Sequence, residues 1–161
     1  MNKFLLLLIP FLFIPVSNEK LSGNDYPLTI KPGKVIKDDG ITILEIPVTL
    51  TNKTKEKLSY GSMSCSWQNF YHHVNKDLLI EGTDCDKNVP IAVEVAPSES
   101  KTVLLRLHVK NPSAKKSETF KIGLNLIPVN TEKQLEQFYD SRIPEKSKGS
   151  MIWSNQITMK I

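Results

Sequence analysis

Two cysteines, two of the three histidines and one of the two tryptophans lie in one stretch, SMSCSWQNFYHHVNKDLLIEGTDCDKN, at residues 62–88. These residue types can build a disulfide, a metal site or a nucleophilic centre. Alternation along a strand would place Met63, Cys65 and Trp67 on one apolar face, which favours burial over a reactive thiolate. We therefore predict a structural disulfide between Cys65 and Cys85 and no catalytic cysteine.

Met63, His72 and His73 carry the alternative interpretation, since thioether and imidazole are ligands for copper and imidazole is a ligand for zinc. Neighbouring residues on a strand point to opposite faces, so one site could use both histidines only at a turn or bulge. The favoured prediction is that the protein holds no metal or other cofactor. A periplasmic copper- or zinc-binding protein stays open as the second reading.

Motifs for the common catalytic chemistries are missing from the sequence. It contains no Gly-x-Ser-x-Gly elbow, no phosphate-binding loop and no dinucleotide fingerprint. The 21 Lys and Arg residues are interspersed with 17 Asp and Glu residues, for a net charge of +4, and they form no dense cationic run. We predict a protein that is not an enzyme and that does not bind nucleic acid.

The amino terminus, MNKFLLLLIPFLFIPVSNEKLSG, has one lysine before an apolar run and small or polar residues after it, which is typical of a secretory signal peptide. The run is shorter than the ~20 apolar residues that span a bilayer. We predict a signal peptide at residues 1–22 and a single β-sandwich domain at residues 23–161. The mature protein is then exported, to the periplasm, the cell surface or the medium, with no stable membrane insertion.

Apolar residues recur at every second position after this leader, which predicts strands with one buried face. Four segments show the pattern most clearly, and short turn signals containing Gly, Pro, Asn or Asp separate the strands. The predicted inward rows are Leu44, Ile46, Val48 and Leu50; Val103, Leu105, Leu107 and Val109; Phe120, Ile122, Leu124 and Leu126; and Met151, Trp153, Ile157, Met159 and Ile161.

One segment, NTEKQLEQFYDSRIPE, has helical rather than alternating spacing. Asn130 and Thr131 are candidate caps, and Pro144 would end the helix. We predict a short helical insertion before the last strand. Because binding residues concentrate on segments that a rigid sandwich carries, Phe138 and Tyr139 are the predicted contacts for a partner.

The stretch VEVAPSESKTVLLRLHV, a strand, a Ser-rich turn and an alternating strand, resembles the middle of bacterial immunoglobulin-like and fibronectin-type modules. Over residues 41–161 the chain resembles small exported bacterial proteins of that architecture. The resemblance implies an all-β fold, an antiparallel immunoglobulin-like β-sandwich, and transfers no catalytic or binding motif. The predicted function is an exported, non-enzymatic binding or interaction module of the cell envelope, whose partner is a protein or a glycan.

Overall fold

Antiparallel strands dominate the protein, as the alternating sequence predicts. The computed structural model describes residues 21–83, 85–114, 116–140 and 149–161, with residues 139 and 140 described by their backbone alone. The predicted signal peptide at residues 1–22 lies almost wholly outside the described residues. Within those residues, no helix is long and apolar enough to cross a membrane.

The elements follow one another along the chain with one α-helix late in the sequence. The strands are β1 Leu28–Ile30, β2 Lys34–Asp38, β3 Ile41–Thr51, β4 Leu58–Met63, β5 Tyr71–His73, β6 Leu78–Ile80, β7 Pro90–Val95, β8 Ser100–Val109, β9 Ser117–Phe120, β10 Ile122–Leu126, β11 Ser150–Trp153 and β12 Ile157–Lys160; the helix α1 is Glu132–Asp140, and 3₁₀ turns occupy Trp67–Phe70 and Pro112–Ala114.

The largest sheet has five strands in the order β1-β3-β8-β6, with β2 also paired to β3. One edge of the long strand β3 holds both β2 and β1, because β2 pairs with residues 41–45 and β1 with residues 48–50. The other strands form a three-stranded sheet, β11-β10-β5, and the pairs β12-β9 and β4-β7. The fold is thus a set of open antiparallel sheets.

The chain just after β10 joins the pair β4-β7 to the three-stranded sheet. Gly61 donates its backbone N–H to the carbonyl of Ile127 at 2.9 Å, and Val129 donates to the carbonyl of Ser59 at 3.0 Å. Strand β4 therefore has partners on both edges, whereas β7 has its strand partner on one.

A single cluster of apolar side chains from all the sheets forms the core. The predicted rows on β3 and β8 do face it: Leu44, Ile46, Leu105 and Leu107 are fully buried. The row that begins at Phe120 is also confirmed, since its members are at most 1% exposed. Burial of these rows supplies most of the driving force for folding, at about 25 cal/mol per Å² of apolar surface.

The prediction for the last apolar row is wrong in its first half. Met151 and Trp153 are 40% and 39% exposed, and Ile152 between them is buried. The alternation breaks at residues 154–156, where the chain leaves β11, paired with β10, and enters β12, paired with β9. Trp153 instead covers the outer side of Gly123, and the Lys121 ammonium group lies 4.7 Å from the centre of its ring.

The helix is present where its capping residues predict it. Thr131 Oγ1 accepts from the backbone N–H of Gln134 at 3.2 Å, and Gln134 Oε1 accepts from the N–H of Thr131 at 3.1 Å. This reciprocal pair is a capping box.

The predicted exposure of Phe138 as a partner contact is wrong. Its side chain is 4% exposed and stacks on Phe70 with ring centres 5.7 Å apart. The apolar side chain of an amphipathic helix is buried against the sheet when a glycine on that sheet leaves room, and Gly61 does so here. The side chain of Tyr139, the second predicted contact, lies outside the described residues.

Candidate functional site

The disulfide between Cys65 and Cys85 is confirmed, with Cα atoms 6.1 Å apart. It links the segment after β4 to the loop before β7. The side chain of Asn88 reinforces the link, because its Oδ1 accepts from the N–H of Cys65 at 3.1 Å and its Nδ2 donates to Ser66 Oγ at 2.6 Å. The chain that follows Cys65 is therefore held from two directions.

A 3₁₀ turn directly after this link sets the directions of two aromatic side chains. Strand β4 ends at Met63, so the alternation predicted through Cys65 and Trp67 does not continue. Trp67 is half-buried and meets Tyr71 edge to face, with ring centres 5.8 Å apart. Such pairs are worth ~1 kcal/mol beyond their buried area. The turn thus places an aromatic wall beside the inner face of β4.

An open cavity of about 420 Å³ lies between this wall, the pair β4-β7 and the beginning of β8. Its lining is mainly apolar and aromatic. The side chains that shape it most are Tyr60 and Met63 from β4, Trp67 from the turn, Tyr71 from β5, Ile91 and Val93 from β7, and Val103 from β8. We refer to this cavity as the cleft.

Two tyrosines contribute phenol groups to the cleft, beside the hydroxyl groups of Ser and Thr residues in its lining. Burial raises the pKa of Tyr60 to about 12, and burial together with the nearby Tyr60 raises the pKa of Tyr71 further. Both phenols are therefore neutral near pH 7 and can donate a hydrogen bond. Neither hydroxyl is hydrogen-bonded to another side chain or backbone group in the described part of the chain, so each has bonding capacity left for water or a ligand.

Lys101 brings the positive charge to the cleft, where its side chain is half-buried in the lining. It forms no ion pair with any acidic residue that the structure describes. Lys57, directly before β4, forms an ion pair with Glu94 of β7 at 2.6 Å, and both side chains are exposed. The cleft therefore offers one unmatched cation beside apolar surface.

The candidate metal ligands do not converge. His72 pairs with Gly123 and His73 with Ile122 across β5 and β10, so the two imidazoles point to opposite faces of the strand. Burial lowers the pKa of His73, helped by the charge of Lys110, against a backbone hydrogen bond that raises it. Met63 lines the cleft. Among described residues, no group of three His, Cys, Asp or Glu side chains could hold a metal ion.

The sequence did not single out Tyr60, Tyr71 or Val103 as site residues. Tyr60 and Val103 belong to alternating strands and are indistinguishable there from ordinary core residues. The aromatic residues Trp67, Phe70 and Tyr71 within one disulfide loop were the available signal.

No protein-family model matches the sequence, and no curated protein matches it. Among solved structures, the fold is similar to that of a FixG-related protein from Vibrio parahaemolyticus, at 13% identity and a TM-score of 0.38. The aligned region covers 83% of this chain and 95% of that one. The fold and the site define a small, disulfide-bonded all-β protein. The FixG-related protein is a distant structural neighbour of it.

Proposed function

We propose that this chain is an exported, non-enzymatic interaction module of the cell envelope, with an immunoglobulin-like β-sandwich, which binds a protein or a glycan in the cleft. The observation that carries the proposal is the open, aromatic-lined cavity of about 420 Å³. Ligand pockets are typically apolar concavities of roughly 300–1,000 Å³ with a few polar groups.

The division of the strands between the sheets supports the immunoglobulin-like part of the proposal. Strands β1, β3 and β8 share one sheet, whereas β5, β10 and β11 form another. Immunoglobulin-type sandwiches divide their first, second and fifth strands from their third, sixth and seventh in the same way.

The disulfide supports the exported part. Bridges of this kind persist in oxidising compartments and are rare in the cytosol. The bridge also agrees with the leader expected at residues 1–22.

The two tyrosines suit binding. Raised pKa values keep both phenols neutral near pH 7, where each can donate a hydrogen bond to a ligand. Neutral phenols on apolar walls suit recognition, since they add direction to a surface that otherwise binds by burial.

Site-specific photo-crosslinking in the native host tests the proposal. A photoreactive phenylalanine replaces Ile91, which is 38% exposed in the cleft wall, or Val35, which is 36% exposed on β2. Strand β2 lies on the opposite edge of β3 from β8, so Val35 is a matched control. We expect a discrete adduct in the envelope fraction from position 91 alone. No adduct at 91, or equal adducts at both positions, would overturn the proposal.

A further inference from the structure

Strand β8 has an unpaired edge beside the cleft. Strand β6 covers residues 107–109, and Glu81 adds one bond to the carbonyl of Arg106 at 2.9 Å. In an antiparallel strand, alternate residues direct their backbone N–H and C=O groups to the same edge. The backbone groups of Thr102 and Leu104 therefore face the same edge as the carbonyl of Arg106, which is the edge on the β6 side. Neither has a backbone partner there among the described residues.

The contact between Thr49 and Thr102 agrees with this orientation of the Thr102 backbone groups. Their hydroxyl oxygens are 2.8 Å apart on the outer face, as in a cross-strand pair that does not exchange backbone hydrogen bonds. The N–H and C=O groups of Thr102 thus face away from β3. Leu104, 56% exposed, has the same orientation.

Strand β7 presents a second unpaired edge on the other side of the cleft. Ser64 donates to the carbonyl of Val89 at 2.8 Å, which fixes the odd-numbered residues of β7 toward β4. Ala92 and Glu94 therefore direct their backbone groups away from β4. The described strands place no partner on that edge.

The two edges enclose apolar surface and one unmatched cation. Val103 lines the cleft from β8, and Ile91 and Val93 line it from β7. A strand added along β8 would place every second side chain over these residues. Lys101, on the same inner face as Val103, would meet an acidic side chain at the end of that strand.

We infer that the occupant of the cleft is an extended segment of a partner protein that adds to the unpaired edge of β8, with alternating apolar side chains directed inward and an acidic residue near Lys101. This inference rests on the proposed function and names its partner class. Main-chain donors and acceptors repeat at strand spacing on this edge, and an extended peptide matches that repeat, which is the basis of recognition by strand addition.

A second copy of this chain fits the edge less well. Antiparallel pairing of two β8 edges, in the register that sets Thr102 opposite Thr102 of the second copy, would make the two Lys101 side chains diagonal neighbours on one face. Like charges in that arrangement repel. The charge of the cleft therefore favours a partner segment of opposite sign.

Three synthetic nine-residue peptides test the inference. In each, Val, Leu or Phe fills the inward row at every second position, Asp takes the last position of that same row, and Thr fills the positions between. They are titrated into the oxidised mature protein, and amide hydrogen exchange is followed at Thr102 and Leu104. Both N–H groups face the open edge, so they exchange fast in the free protein. We expect at least one peptide to bind and to slow their exchange by about tenfold or more.

Backbone methylation of the peptide separates strand addition from side-chain binding. Methyl groups on the amides that face β8 remove the hydrogen bonds and keep the side chains, whereas methyl groups on the other amides are the control. The first set should weaken binding by about tenfold and the control set should not. On the protein side, Leu104→Pro removes one edge N–H, and Leu104→Thr keeps it.

A charge exchange tests the position of the acidic residue. Lys101→Glu should weaken binding, and a peptide with Lys in place of Asp should restore it.

The following results would overturn the inference. A partner strand is excluded if the peptides bind without slowing exchange at Thr102 and Leu104, or if the two sets of methylated peptides bind equally well. It is also excluded if, without any peptide, the exchange at these two residues slows as the protein concentration rises. If none of the peptides binds while position 91 still crosslinks an envelope component, the inference of an added strand is overturned and the proposed function stands. If position 91 gives no crosslink, the proposed function itself is overturned.

Discussion

Asn155 bonds to both backbone groups of Ile30, a residue 125 positions away. The N–H of Ile30 donates to Asn155 Oδ1 at 2.9 Å, and Asn155 Nδ2 donates to the carbonyl of Ile30 at 3.0 Å. The side chain amide thereby replaces a strand partner for the end of β1. It also holds the crossing between β11 and β12 against the first strand.

Asn155→Ala should destabilise the protein by about 1–3 kcal/mol, because it leaves two part-buried backbone groups of Ile30 without partners. Chemical denaturation measures the change in the free energy of unfolding. Gln156→Ala, at the exposed neighbouring position, is the control and should change little. Equal losses in the two variants would contradict the role given to Asn155.

Gly61→Ala should destabilise by about 1–3 kcal/mol, because the added Cβ would lie 2.8 Å from the ring of Phe138. The ring is held by its stack on Phe70 and cannot move freely. In a double-mutant cycle, Phe138→Leu should relieve part of the loss. Gly82→Ala, which meets no atom within 4 Å, should be neutral. Additive effects of the two core changes would contradict the contact.

Removal of the disulfide by Cys65→Ser with Cys85→Ser should cost about 3 kcal/mol, since the bridge closes a loop over a sequence separation of 20. Thermal unfolding of the parent with and without reductant should show the same direction. The double variant should not respond to reductant. A parent that melts identically in both conditions would contradict a stabilising bridge.

Stability should fall at alkaline pH because of Tyr60. The unfolded phenol ionises near its usual pKa of 10.0, whereas the folded one has a pKa of about 12. Between these values the unfolded state has lost more protons, so the free energy of unfolding falls as the pH rises. Tyr60→Phe removes this contribution and should move alkaline unfolding to higher pH. Ultraviolet titration of phenolate checks that Tyr60 ionises late.

Because of His73, the free energy of unfolding should also fall at acid pH, in the opposite direction of pH change from the effect of Tyr60. The pKa of His73 is lowered from 6.5 in the folded protein, chiefly by burial. Below 6.5 the unfolded state binds the extra proton first, so stability falls as the pH falls. NMR titration of the His73 ring should give a midpoint below 6.5. A midpoint at or above 6.5 would contradict the burial effect.

Copper and zinc should leave the melting temperature unchanged, because His72 and His73 point to opposite faces of β5. A metal that binds the native state alone would raise it. A rise that His72→Ala and His73→Ala both abolish would instead establish the metal-binding alternative.

The local pattern of residue types along the sequence predicted much of this fold. The rows on β3 and β8, the helix with its capping box, and the pairing of Cys65 with Cys85 all follow from nearby residue types or from the cysteine count. The orientation of Trp153 did not follow, because it depends on where the chain crosses between sheets. A period of two is reliable only within one continuous strand.

The cleft could not be read from the sequence for a related reason. The open strand edges beside it exist because β6 stops short along β8 and because β7 has one strand partner, and both facts concern pairing between distant segments. Tyr60 and Val103 carry the same signal as residues of a closed core. The position of an open strand edge is a tertiary property.

The bridge between Cys65 and Cys85 also limits how far the protein can be stretched. A chain pulled from its two ends extends by ~3.5 Å per residue once unfolded. The residues between the two cysteines stay out of that extension while the bridge is intact, so the oxidised chain reaches about 65 Å less than the reduced one. Under tension the segment that forms one wall of the cleft therefore bears no pulling force along its length.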